Sequence, residues 1–394
     1  MSGLKHTFTD SRFYYLVCLC LTIFSSTMRM MSYTGFDGLL LHDIILLVSL
    51  LSAFICFILS FRKYSWKQAV TVGGLALMGI LCFLKTGATD YFMCLMCIGL
   101  SFNLSVDEML RFVFAEKIII FSAFVLLSGF GLIPETTIEV AKGTYSIIGY
   151  GSGYMHPNSL SKDLAVITLL FLAIKRKNIR WHHLLTVLIV TVLNYKITQC
   201  RIGFMIPVLA VMLVFLSRYR VLRDIMKGWF RYVYPFLFVL MFFLFWLCDV
   251  FGYGNRIVEI FNGTIFNGRI VLAHMSIQVF GVSFLGTEID IPRIQEYIPD
   301  FQAFDNGQGY VLVRYGIAGV LTFGFIFDRI MKRLRDYDAV ILGIITACLL
   351  LWSAYEFNFF DVGVNFTLLL FAAGFATCDN AGSNRVELKE GKTE

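Results

Sequence analysis

Charged side chains are scarce in this sequence. Asp, Glu, Lys and Arg make up 15% of the 394 residues, where a soluble protein carries roughly 25%. Proline and tryptophan are also few, at 6 and 5, whereas phenylalanine reaches 40 and hydrophobic residues 58%. These shortages exclude an ordinary water-soluble globule, and so much Phe suits a lipid-facing surface better than a compact aqueous core. The apolar excess comes in runs of roughly 17–22 residues, the length that crosses a bilayer as a helix. No internal repeat, acidic tail or low-complexity segment is evident. The polar stretch 380–394, ending VELKEGKTE, reads as a solvated cytoplasmic tail.

Other absences narrow the reading further. The first apolar run, near Phe13 to Met28, has basic flanks in Lys5 and Arg12 but no clean small-x-small cleavage site after it. It therefore reads as an uncleaved first helix. The ten cysteines form no framework; most lie inside apolar runs, as Cys18, Cys20, Cys56, Cys82 and Cys348 do. Cys94 and Cys97 make a CxxC, but within YFMCLMCIGL they lack the polar, accessible setting that redox or metal chemistry needs. The net charge of +6 reports topology rather than nucleic-acid binding.

Hydropathy predicts an all-α, polytopic membrane domain over 1–394 with about twelve spans: 13–29, 39–61, 68–84, 88–103, 112–133, 160–174, 184–200, 202–217, 231–251, 308–328, 339–355 and 362–378. Four short basic loops hold Arg62, Lys63 and Lys67; Lys175, Arg176, Lys177 and Arg180; Arg218, Arg220, Arg223 and Lys227; and Arg329, Lys332, Arg333 and Arg335. With twelve spans all four fall on the side of both termini, which the positive-inside rule makes cytoplasmic. Two long loops then face outward, 134–159 and 252–307, the second between helices 9 and 10. Long polar loops on rigid spans are where sites are usually built.

Four stretches on that outer side carry chemistry. In YGSGYMHPNSLSKDLAV, His156 and Asn158 flank Pro157 before a span. They suit contact with a sugar or phosphate, or simple capping of the helix. Arg201 stands at a helix mouth between apolar residues. It either snorkels to headgroups or grips an anionic headgroup bidentately. Phe266, Ile270, Ala273, Ile277 and Phe280 form a stripe that predicts an amphipathic helix in the interface, with Asn267, His274 and Gln278 off the stripe. Arg269 at its start opposes the helix dipole, which hints at an anionic partner; ordinary anchoring in the interface is the other reading. Asp305 and Asn306 precede the next span; Asp305 reads either as a cap or as a general base with a raised pKa.

The order of these pieces resembles the polymerase and ligase superfamily of bacterial surface polysaccharides, which includes Wzy-type O-antigen and capsule polymerases and the O-antigen ligases. The resemblance covers roughly 145–325; residues 1–130 match in hydropathy alone. Arg201 resembles the family's Arg-x-Gly, Gly268 and Arg269 its Gly-Arg element, and Phe284, Leu285 and Gly286 its Leu-Gly. Asp305 and Asn306 resemble the Asp-Asn or His-Asn pair before the next helix. Ligases generally carry His where this chain has Asp305, which favours a polymerase.

The resemblance implies a GT-C-like glycosyltransferase that needs no metal or cofactor. Its donor would be a glycan on undecaprenyl diphosphate and its acceptor the terminal sugar of another lipid-linked repeat unit. The setting would be the bacterial cytoplasmic membrane among membrane lipids, with a chain-length regulator and a flippase as pathway partners. Arg201 and Arg269 would hold the leaving diphosphate, helped by His156, Asn158 and Asn306, and Asp305 would be the catalytic base. Two other readings stay open: a ligase-like glycan transferase, and a lipid-linked oligosaccharide flippase or transporter. Glu116 and Lys117, inside the fifth span, fit a transporter. The absent repeat, the long outer loop and the charges clustered at the outer mouth fit it less well.

Overall fold

The computed structural model describes residues 10–31, 38–61, 63–142, 145–266, 268–299, 301 and 304–374. Lys5, Arg62, Asn267 and the tail 380–394 lie outside the described residues. The described residues are mostly helical, with one two-stranded sheet. Helix α1 covers Ser11–Met28 and is capped by the Asp10 carboxylate, which accepts from the Arg12 N–H. Helix α2 covers Gly38–Phe61, α3 Trp66–Thr86, α4 Thr89–Leu100 and α5 Val106–Gly129. Capping boxes start α3 (Ser65 with Gln68) and α5 (Ser105 with Glu108). Gly87, at φ +66°, ends α3 in the left-handed conformation that glycine adopts without steric cost.

A hairpin of β1, Thr137–Lys142, and β2, Tyr145–Tyr150, adds a small antiparallel element to the all-α expectation. It occupies the first long loop and lies on the end of the next helix pair, where a Cβ on Gly149 would stand 2.7 Å from the Thr198 carbonyl. Then come α6, Pro157–Lys175; α7, Trp181–Thr198; α8, Arg201–Leu216; α9, Arg220–Trp229; and α10, Val233–Phe251. The large loop carries α11, Arg269–Phe280. After it follow α12, Gly307–Arg314; α13, Gly316–Asp336; and α14, Val340–Trp352.

Five helical stretches are long and apolar enough to cross a membrane: Ser11–Met28, Ile44–Phe61, Trp66–Thr86, Pro157–Asn178 and Arg220–Phe251. Helical segments fall within all twelve ranges read from hydropathy, but not as twelve long helices. The range 88–103 holds the 12-residue α4 followed by a 3-10 turn, and 339–355 holds the 13-residue α14. The last range holds a 3-10 segment, Phe366–Gly374. The range 308–328 is broken in two at Gly316, whose φ is +70°.

Exposure separates lipid-facing helices from the centre. On α2, Leu47, Leu51, Phe54, Ile58 and Phe61 are exposed at helical spacing; on α10, Phe236, Val239, Phe243, Trp246 and Val250 are. Contiguous apolar faces of that size are costly in water and stable in hydrocarbon. By contrast, α14 is apolar all round and nearly every residue in it is buried, as expected of a central element.

Two ends of the bundle differ in charge. At one end Arg12 meets Glu108 (2.8 Å), Arg176 and Lys177 meet Asp107, and Arg223 and Lys227 meet Asp338. These contacts gather the segments around α1, α5, the α6–α7 turn, α9 and the α13–α14 turn. Helix α9, which reads from sequence as a basic loop, is amphipathic. Val221, Ile225 and Trp229 form an exposed apolar row, with Arg220, Arg223 and Lys227 on other faces. That pattern suits a helix lying in a membrane surface.

Candidate functional site at the opposite end

The starts of α6, α8, α11 and α12 meet at the other end of the bundle. His156 caps α6, its Nδ1 accepting the Asn158 N–H at 3.0 Å, and Pro157 takes the first helical turn, where its missing N–H costs nothing. Gly203 in the first turn of α8 packs directly on Ser161 in α6, a contact only a glycine permits. Gly268, at φ +86°, turns the chain into α11 so that Arg269 is its first residue. Asn306 caps α12 by accepting the Gly309 N–H at 2.7 Å. Each helix start carries roughly half a positive charge, so four converging starts make an electropositive mouth of the kind that binds phosphate.

Within that mouth, His156 and Asp305 each lie in the field of Lys162, Arg269 and Glu356. Arg269 is largely buried, and its Nε stands 3.7 Å from an Asp305 oxygen. That is ion-pair range but too long for a hydrogen bond, and the buried Nε–H has no hydrogen-bond partner among the described residues. Lys162 Nζ donates to Glu356 at 3.2 Å and to Asn358 at 3.1 Å. Partial burial raises the Asp305 pKa above its ordinary 3.8; Arg269 opposes the rise and Glu356 adds to it. Loss of hydration holds His156 below its ordinary 6.5, opposed by Glu356 and reinforced by Lys162 and Arg269.

The residues singled out from sequence separate in space. Arg269 and Asp305 come together, with His156 in the same field. Arg201 is exposed at the start of α8 and pairs with no carboxylate among the described residues, so it stands at the rim. Asn306 is buried, and its amide is committed on both sides: Oδ1 to Gly309 and Nδ2 to the Ala354 carbonyl at 2.8 Å. It acts as cap and strut. For Asn158 the backbone N–H is engaged and the side chain is half-buried. Lys162 and Glu356 were not singled out from sequence, and their charges match the pairing seen here.

Two supports hold the Arg269 side of the mouth. His274, off the apolar stripe but buried, bonds Tyr253 through Nδ1 at 2.9 Å and Asp249 through Nε2 at 3.0 Å. Those contacts anchor α11 to the end of α10, while Ile270, Ala273 and Phe280 bury the stripe against protein. The Phe284–Gly286 segment docks on the break between α12 and α13. Ile317 and Ala318 donate N–H bonds to the Ser283 and Phe284 carbonyls at 3.1 and 2.9 Å. The backbone freed by the break is satisfied there.

A separate buried network joins α5 to the second turn of α6 and the last turn of α1. Lys117 meets Asp163 at 2.7 Å with both side chains 1% exposed, Asp163 also accepts from Tyr154, and Lys117 donates to Thr27. Glu116 is buried next to it, beside the Cys20 thiol. No group of three or more His, Cys, Asp or Glu side chains that could hold a metal ion occurs among the described residues. No protein-family model, curated protein or solved structure matches this chain.

Proposed function

We infer that this chain is a membrane polymerase of lipid-linked polysaccharide repeat units. It works at the outer face of the bacterial cytoplasmic membrane, with about twelve passes and both termini inside. The observation that carries the reading is the Arg269–Asp305 pair, set beside Lys162 and Glu356 at the meeting of four helix starts. In the proposed reaction an acceptor hydroxyl oxygen attacks the anomeric carbon of the donor glycan. The bond from that carbon to undecaprenyl diphosphate breaks, and the diphosphate leaves with the electron pair. The hydroxyl proton passes to Asp305. Arg269, with its unsatisfied Nε–H, and Lys162 suit the growing charge on the leaving oxygen, and the helix starts add to their field. Arg201 at the rim is placed to meet the same headgroup as it arrives. The basic opposite end of the bundle supports a cytoplasmic assignment for that end.

Cells lacking the gene and complemented with variants test this. Arg269→Ala and Asp305→Asn should leave single lipid-linked repeat units accumulating on the outer face, with the protein still in the membrane. Unaltered long-chain glycan in both variants would sink the assignment.

The buried Lys117–Asp163 pair and the buried Glu116 favour a second reading, a flippase for the same lipid-linked units, because buried ionisable groups mark ion pathways. In that case the single units would accumulate on the cytoplasmic face.

A further inference from the structure

Beside the charged mouth, the ends of α1, α4 and α12 and the segment after α14 enclose a cavity of about 130 Å³. Arg29, Asp90, Asp361, Asn358, Tyr310 and Tyr315 line it. The protein orients the polar groups. Asp361 accepts from Ser26 Oγ at 2.8 Å and from the Gly363 N–H at 2.8 Å, and Arg29 stands 3.5 Å away. Asp90 accepts from the Tyr315 hydroxyl at 3.1 Å. Asn358 gives its carbonyl oxygen to Lys162 at 3.1 Å. Each carboxylate keeps lone pairs, and among the described residues Arg29 and the Asn358 amide have N–H donors with no hydrogen-bonded acceptor. The ring of Tyr315 is fixed by stacking on Tyr91 at 4.3 Å, and that of Tyr310 by Phe357 at 4.8 Å.

This combination selects a ligand class. Two carboxylates in one small wall repel a phosphate. An apolar ligand would leave those carboxylates desolvated without partners. A sugar ring fits both demands: each hydroxyl donates to a carboxylate or accepts from an N–H, and its C–H face lies on an aromatic ring. Pockets for drug-sized ligands run about 300–1,000 Å³, so this smaller cavity takes a single ring.

We propose that the cavity binds one sugar ring of a glycan chain, held by Asp90, Asp361, Arg29 and Asn358 against the Tyr310 ring. Asn358 joins it to the Lys162–Glu356 pair, which sets the ring next to the Arg269–Asp305 mouth. The sugar bound there is the acceptor terminus; that assignment, unlike sugar binding itself, rests on the polymerase reading.

The test uses the full chain in detergent micelles and two probes. One is a set of methyl glycosides of glucose, galactose, mannose, N-acetylglucosamine and N-acetylgalactosamine. The other is the same host's lipid-linked repeat unit. Saturation-transfer NMR should show ring protons of at least one glycoside receiving magnetisation from the wild type. Binding should weaken about tenfold or more in Asp90→Asn and Asp361→Asn, since each loses a charged hydrogen-bond acceptor, and should persist in Arg269→Ala. Hydrogen exchange of the wild type with that glycoside should slow in segments 26–31, 310–315 and 357–361. No transfer from the wild type, equal binding in both variants, or protection confined to other segments overturns the proposal. If the glycoside binds but the lipid-linked unit is never elongated, the cavity stands and the polymerase reading falls. If the unit is elongated but protection of these segments is absent with both probes, the cavity falls and the polymerase reading stands.

Discussion

Asp305 and Arg269 balance each other. The carboxylate is pushed up by lost hydration and drawn back by the guanidinium 3.7 Å away, with burial the larger effect. A general base must be ionised, and protonation removes it. Because the folded-state pKa lies above the ordinary 3.8, the acid limb of the rate–pH profile should fall at a higher pH than an unperturbed aspartate gives. Removing the Arg269 charge should move the Asp305 titration itself higher still, since the opposing influence is lost. Followed by carboxyl 13C NMR, which needs no turnover, the Asp305 midpoint should be unchanged in Arg269→Lys and higher in Arg269→Gln. A midpoint unmoved in Arg269→Gln would contradict that balance.

Elements hold the site through contacts that one sequence only partly reveals. The helix starts near Pro157 and after Asp305 were legible because local chemistry marks them, but the caps are His156 and Asn306, where the sequence pointed to Asn158 and Asp305. The break at Gly316 was not legible, since 308–328 reads as one mainly apolar run and the break is stabilised by a segment thirty residues upstream. Lys162 and Glu356 were equally hidden: they lie 194 positions apart, and only the packing of α6 beside the end of α14 joins them. The α11 stripe was readable, yet the reason His274 is buried off that stripe, its bonds to Asp249 and Tyr253, is tertiary.

Gly316→Ala should therefore destabilise the protein. Its Cβ would strike the Ser283 and Phe284 carbonyls and would sit in a left-handed conformation costing roughly 1–2 kcal/mol before the clash. Gly254→Ala, with open space around it, serves as the control. Thermal unfolding in detergent should show a clear loss for the first and none for the second.

The pair between α5 and α6 provides a further check at this scale. Lys117→Met should cost about 3–5 kcal/mol by leaving Asp163 buried and unpaired, and adding Asp163→Leu should restore most of that loss. On the polymerase reading the double variant still lengthens glycan. A stable double variant with no outer-face units would instead assign the pair to transport.

For the whole molecule, the two ends of the bundle differ in how their charges are arranged. One end gathers Lys and Arg into ion pairs with Asp107, Glu108 and Asp338, and the other gathers four helix starts around buried charges. If the second end faces outward, a cysteine placed at the exposed Gln295 should be labelled by an impermeant maleimide in intact cells. One placed at Lys177 should be labelled only after permeabilisation. The native cysteines among the described residues are buried or half-buried, so the background is low. Labelling of the Lys177 position alone from outside would invert the topology.

Polymerisation is best isolated where no compartment exists for a transporter to serve. Purified full-length protein in detergent micelles, given lipid-linked single repeat units, should build glycans longer by whole repeats. One undecaprenyl diphosphate should be released for each bond formed, and neither product should form with Arg269→Ala. Units left at single length by the wild type, with no diphosphate lipid released, would contradict the account.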